Sequence, residues 1–88
     1  MSKEKEKPFA EIGARLVRVR EAFGPGMKQK EWAAKHGLGE TQLGNWETGA
    51  RRIPVENAER LCDLYGLTLD FIYRGRRDGL SESAAKVL

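Results

Sequence analysis

The apolar residues of this chain recur at helical spacing over most of its length. Phe9, Ile12, Leu16, Val19 and Phe23 step by 3, 4, 3 and 4, which sets them on one face of a first helix. Gly24-Pro25-Gly26 ends that helix, because proline cannot continue the hydrogen-bond ladder and glycine opens left-handed conformations. A short second helix, about Lys28 to His36, carries Trp32 and Ala33 inward. Gly37-Leu38-Gly39 then makes a tight turn, with Gly37 where a residue just past a helix end needs positive φ. A third helix spans Glu40 to Thr48 with Leu43 and Trp46 on its inner side, and Gly49 stops it in the same manner. Pro54 suits the first turn of a fourth helix, where its missing N–H costs nothing. That helix runs to Tyr65 with Val55, Ala58, Leu61, Cys62 and Tyr65 on one stripe. Thr68 is placed to cap a last helix, Leu69 to Arg74, which Gly75 closes. No segment alternates with period two. The pattern therefore predicts an all-α fold, a compact bundle of about five short helices.

The ends of the chain read differently. Residues 1–8 alternate Lys and Glu before Pro8, a solvated and flexible lead-in. Residues 9–75 form the predicted domain. Residues 76–88 are polar and rich in Ala and Ser, with Leu80 and Leu88 as isolated apolar points, so disorder and a weak terminal helix are both open.

Composition narrows the function. With 88 residues, 40% of them hydrophobic and 33% charged, the chain has the make-up of one small globular domain. Sixteen basic residues against thirteen acidic give +3, a balance that permits a polyanionic partner without requiring one. The single cysteine excludes an internal disulfide and a Cys-rich zinc site. A lone thiol, no apolar run behind the charged N-terminus and no stretch of 18 apolar residues together predict a cytoplasmic protein with no membrane span. His36 is the one histidine and Cys62 lies on an apolar stripe, so a nucleophile–base arrangement lacks its parts. No catalytic residue, metal or cofactor is expected, and the chain is not read as an enzyme. The Gly37-Leu38-Gly39 run follows a helix rather than a strand and meets neither nucleotide-binding spacing.

The informative stretch is Gln29 to Gly49, QKEWAAKHGLGETQLGNWETG. It sets two short helices around a glycine turn, with small Ala33 where they must approach closely. In such a pair the first helix can lie across phosphates while the second enters the major groove, which admits one α-helix.

Here the sequence resembles the Cro/phage-repressor (XRE-type) helix-turn-helix family, with its lambda-repressor-like fold, over roughly residues 12–75. The resemblance rests on Ile12-Gly13-x-x-Leu16, Arg20, Met27-x-Gln29, Trp32-Ala33, Gly37-Leu38, Leu43, Trp46-Glu47-x-Gly49, Pro54 and the closing Tyr65-Gly66-Leu67-x-Leu69-Asp70-x-Ile72. It implies that Gln29 contacts a phosphate and that Glu40, Thr41, Gln42 and Asn45 face the bases. Gln and Asn can pair bidentately with adenine, Glu can accept from cytosine, and the Thr methyl can touch thymine. Lys28, Thr48, Arg51 and Arg52 are then further phosphate contacts, giving affinity rather than sequence information. Arg20 and Glu47 correspond to the family's internal ion pair, a structural one.

The sequence also departs from the family. Glu40 places a carboxylate in the first turn of the recognition helix, where it suits the helix dipole and repels phosphate. Gly44 sits inside that helix, where glycine costs up to about 1 kcal/mol relative to alanine. Lys28 and Gly39 replace the usual Ser or Thr caps, and His36 replaces an aliphatic residue. The Gly24-Pro25-Gly26 loop is longer than usual by about two residues.

The resulting expectation is a sequence-specific binder of double-stranded DNA, a transcriptional regulator acting as repressor. A homodimer is expected, through Phe71, Ile72, Tyr73 and the C-terminal tail. The rival reading is a protein-interaction module, an antitoxin or adaptor of the same fold with a protein partner, which Glu40 and the mild net charge suit somewhat better.

Overall fold

The computed structural model describes residues 7–88, so most of the charged lead-in expected over residues 1–8 lies outside the described residues. These residues form six helices and no strand: α1 (Ala10–Phe23), α2 (Gln29–Lys35), α3 (Glu40–Thr48), α4 (Val55–Tyr65), α5 (Leu69–Arg74) and α6 (Glu82–Val87). The chain divides into two units, one ending at Arg52 and one comprising Ile53–Leu88.

In the first unit α3 packs against both α1 and α2. Leu16 and Val19 of α1, Trp32 and Ala33 of α2, and Leu43 and Trp46 of α3 are buried. The predicted faces of all three helices are thus the ones turned inward. The approach of α1 to α3 is unusually close. A methyl group at Gly13 would overlap the carbonyl oxygen of Glu47 and lie 2.7 Å from that of Trp46, so no larger residue fits without moving backbone. Gly49 meets the other end of the same contact. It takes φ +88°, a methyl there would come within 2.5 Å of Ala10 Cα, and its carbonyl accepts from Phe9 N at 3.0 Å.

Helix α2 starts by an unexpected device. Lys28, a poor capping residue, offers its backbone N–H to Glu31 Oε1 at 2.8 Å, so the side chain three residues on supplies the acceptor. At the far end His36 is buried rather than solvated. Its Nδ1 stands 2.8 Å from Trp32 O, and its ring centroid is 4.3 Å from that of Trp32. A carbonyl only accepts, so this nitrogen carries the proton and the imidazole fills the place of an aliphatic side chain.

In the second unit α4 packs against α5. Thr68 Oγ1 accepts from Phe71 N at 2.9 Å, and Tyr73 Oη donates to Ile53 O at 2.6 Å. The stripe read for α4 is only partly inward. Ala58 and Leu61 are buried and Cys62 and Tyr65 are half-buried, but Val55 is exposed; Leu64, off that stripe, is 58% exposed. Pro54 precedes the helix as its cap residue instead of opening its first turn. Residues 82–87 are helical. Ser81 Oγ accepts from Ala84 N at 3.1 Å, Ser81 N donates to Gly66 O at 2.9 Å, and Ala84 is fully buried.

The sequence puts Phe71 and Ile72 on a dimer surface, yet in the structure they are 2% and 0% exposed. Short α5 turns both side chains inward, so neither has area left for a second subunit.

Candidate nucleic-acid interface

In the first unit the candidate polar face is the outer side of α3. Leu43, Trp46 and Glu47 are the buried residues of this helix, so the opposite side faces solvent. Thr41, Asn45 and Thr48, spaced by four and three, form the outermost ridge, with Glu40 and Gln42 flanking it; all five are exposed. Gly37-Leu38-Gly39 separates α2 from α3, and the chain after α3 turns back under it: Arg51 N donates to Asn45 O at 3.0 Å. Arg51 and Arg52 therefore stand beside the C-terminal end of α3, and Lys28 stands exposed at the start of α2. Thr48 Oγ1 donates to Asn45 O at 3.3 Å and accepts from Ala50 N at 3.4 Å, so its hydroxyl already serves the helix end.

Behind this face lies a polar knot. Arg20 of α1 donates from Nε to Glu47 Oε2 at 2.9 Å and from Nη2 to Glu47 Oε1 at 3.0 Å, a two-pronged pair between the first and third helices. The bond to Glu47 holds the Arg20 guanidinium above its ordinary pKa, so this cation is permanent. Gln29 of α2 joins them, donating from Nε2 to Glu47 Oε1 at 2.8 Å. One carboxylate thus ties together three helices.

Two short helices about a glycine turn, the second with an outward polar face, is the geometry of a helix-turn-helix, and the helix-turn-helix domain family matches the chain over residues 11–70. The chain belongs to that family. No curated protein and no solved structure matches it. As a helix-turn-helix domain it points to DNA as ligand and to the regulation of transcription, and domains of this kind are typically not enzymes. No helix of the described residues is long and apolar enough to cross a membrane.

The second unit of the helix-turn-helix chain carries a free thiol. Cys62 is half-buried on α4, and burial beside Asp63 and Glu59 pushes its thiol up to about 11. A thiol so rarely ionised near neutral pH is a packing group rather than a nucleophile. Among the described residues no three His, Cys, Asp or Glu side chains cluster as a metal site would need.

The structure brings Arg20, Gln29 and Glu47 together and sets Glu40, Thr41, Gln42, Asn45, Thr48, Arg51 and Arg52 on or beside one helix. Reading by sequence missed the bond from Gln29 to Glu47, which joins residues 18 apart. The available signal was a charged residue at an inward position of α3, since a buried carboxylate needs several donors. Glu31 was also missed, although a Glu three residues past a helix start is a recognised capping pattern.

Proposed function

We propose that this helix-turn-helix chain is a sequence-specific binder of double-stranded DNA, a transcriptional repressor of the Cro/phage-repressor (XRE) type. Helix α3 enters the major groove, which is wide enough for one α-helix. Glu40, Thr41, Gln42 and Asn45 meet base edges, while Lys28, Gln29, Thr48, Arg51 and Arg52 meet phosphates. The observation that carries this reading is the exposed polar face of α3, four residues with donors, acceptors and a methyl group suited to base edges, opposite a fully engaged inner face.

A single α3 reads few bases, so the protein acts as a homodimer on a two-fold symmetric site with half-sites roughly 34 Å apart. It works in the cytoplasm, on the nucleoid, without metal or cofactor. Three cationic contacts per subunit, from Lys28, Arg51 and Arg52, give a dimer a log–log salt slope of about −5.

The test is selection of the purified protein against a randomised duplex library at ~150 mM salt, where non-specific binding is weak. Enrichment of a two-fold symmetric motif is expected. Failure to enrich any motif would move the assignment to a protein-interaction module of the same fold.

A further inference from the structure

Glu47 is a charged residue 7% exposed on the inner side of α3, and its carboxylate accepts three hydrogen bonds, two from Arg20 and one from Gln29. An ionised carboxylate is acceptor only, so the Gln29 amide must meet it nitrogen-first and turn its carbonyl away. The amide lies over Gly44 of α3. A methyl group at residue 44 would stand 3.7 Å from Gln29 Oε1 and 4.0 Å from Nε2, in ordinary van der Waals contact with the amide. The orientation of this amide is therefore set by its bond to Glu47.

We propose that Glu47 is a positioning residue for DNA binding: by holding the Gln29 amide nitrogen-first, it reserves the second N–H of Nε2 for a phosphate oxygen. This rests on the DNA-binding reading above and adds a role for a residue that touches no DNA itself. Phosphate oxygens only accept, and an unrestrained glutamine presents its carbonyl as readily as its nitrogen. A carbonyl turned to a phosphate repels it. Glu47 removes that orientation, and Arg20 neutralises the carboxylate so that its own charge does not oppose the DNA.

The experiment is a double-mutant cycle of Gln29→Ala and Glu47→Gln, read as affinity for the most enriched duplex and for a random-sequence duplex. Each single change should weaken binding roughly tenfold, the value of one hydrogen bond to a charged group. The loss should be equal on both duplexes, because a phosphate contact carries no sequence information. The double variant should lose no more than the weaker single one. Independent losses that multiply would overturn the proposal, since a merely structural Glu47 acts whatever stands at position 29.

Glu47→Gln risks unfolding, so a second measurement uses the unaltered protein. In its NMR spectrum one Gln29 side-chain amide proton should be protected by Glu47, and the duplex should shift the other. Movement of both protons, or of neither, would overturn the proposal too. If the unaltered protein binds no duplex, this inference and the DNA-binding reading fall together; if it binds and the losses multiply, only this inference falls.

Discussion

The two units are held in different ways. In the second, the buried residues are all apolar, with Ile53, Phe71 and Ile72 the largest of the fully buried ones. In the first, the apolar set around Trp32 and Val19 shares the interior with His36 and Glu47, the polar residues buried among those described. Apolar burial is non-directional and tolerates adjustment. Hydrogen bonds to a carboxylate are directional, so the Arg20–Glu47–Gln29 knot sets an angle between α1, α2 and α3 as well as a contact. The unit that carries the proposed DNA-reading face is the one whose helices a directional knot ties together.

The largest expected effects test that difference directly. Phe71→Ala should cost about 3–5 kcal/mol, the usual loss for emptying a buried aromatic site. Arg20→Ala should cost about as much, roughly 3 kcal/mol, because it leaves the Glu47 carboxylate buried with the Gln29 amide in place of a cation. The two losses should respond differently to a second change. Replacing both members, Arg20→Met with Glu47→Leu, should recover most of the loss, since no charge is then left buried. Urea titration of the single and double variants checks this. A double variant as unstable as Arg20→Ala would mean that the knot contributes shape that apolar packing cannot supply.

Much of this contrast was legible in the sequence. Helices α3 and α5 have the bounds the pattern predicts, Glu40–Thr48 and Leu69–Arg74, because each is short and sits between a capping position and a glycine. Local rules decide such ends. The pairing of Arg20 with Glu47 came from family resemblance alone, since nothing in the spacing of residues 27 apart reveals it. What stayed illegible is non-local. Val55 lies on the apolar stripe of α4 yet remains exposed, and Phe71 and Ile72, adjacent in sequence, are both buried although a six-residue helix has little inner face. The tail was open between disorder and helix because the burial of Ala84 cannot be read from a run of small and polar residues.

A smaller effect concerns how the helices begin, where α5 and α6 of the second unit differ from its α4 and from the helices of the first. Thr68 and Ser81 accept backbone N–H bonds through their own oxygens, whereas α1, α2 and α3 have no such bond from their cap residue. Thr68→Ala should therefore cost about 1 kcal/mol. Lys28→Ala should change stability little, because the bond at that end runs from the Lys28 backbone to the Glu31 side chain and survives the substitution. Thermal melts of the two variants side by side check the pair; a large loss for Lys28→Ala would show that its side chain holds the helix after all.

The smallest effect is a gain. Gly39 precedes α3 with φ −76° and ψ 144°, a conformation any residue adopts, and a methyl group there would meet only Gln42 Cβ at 3.9 Å. Serine fits this place without strain. Its hydroxyl can accept from a free N–H of the first turn, a bond of the kind Thr68 makes in the second unit. Serine also has fewer unfolded conformations than glycine. Gly39→Ser should thus stabilise the chain by a few tenths of a kcal/mol from capping, with a comparable gain from the unfolded state. The substitution leaves the outer ridge of Thr41, Asn45 and Thr48 untouched, so duplex affinity should hold while the urea midpoint rises. A raised midpoint with weakened binding would mean that the bare backbone at Gly39 itself approaches the DNA.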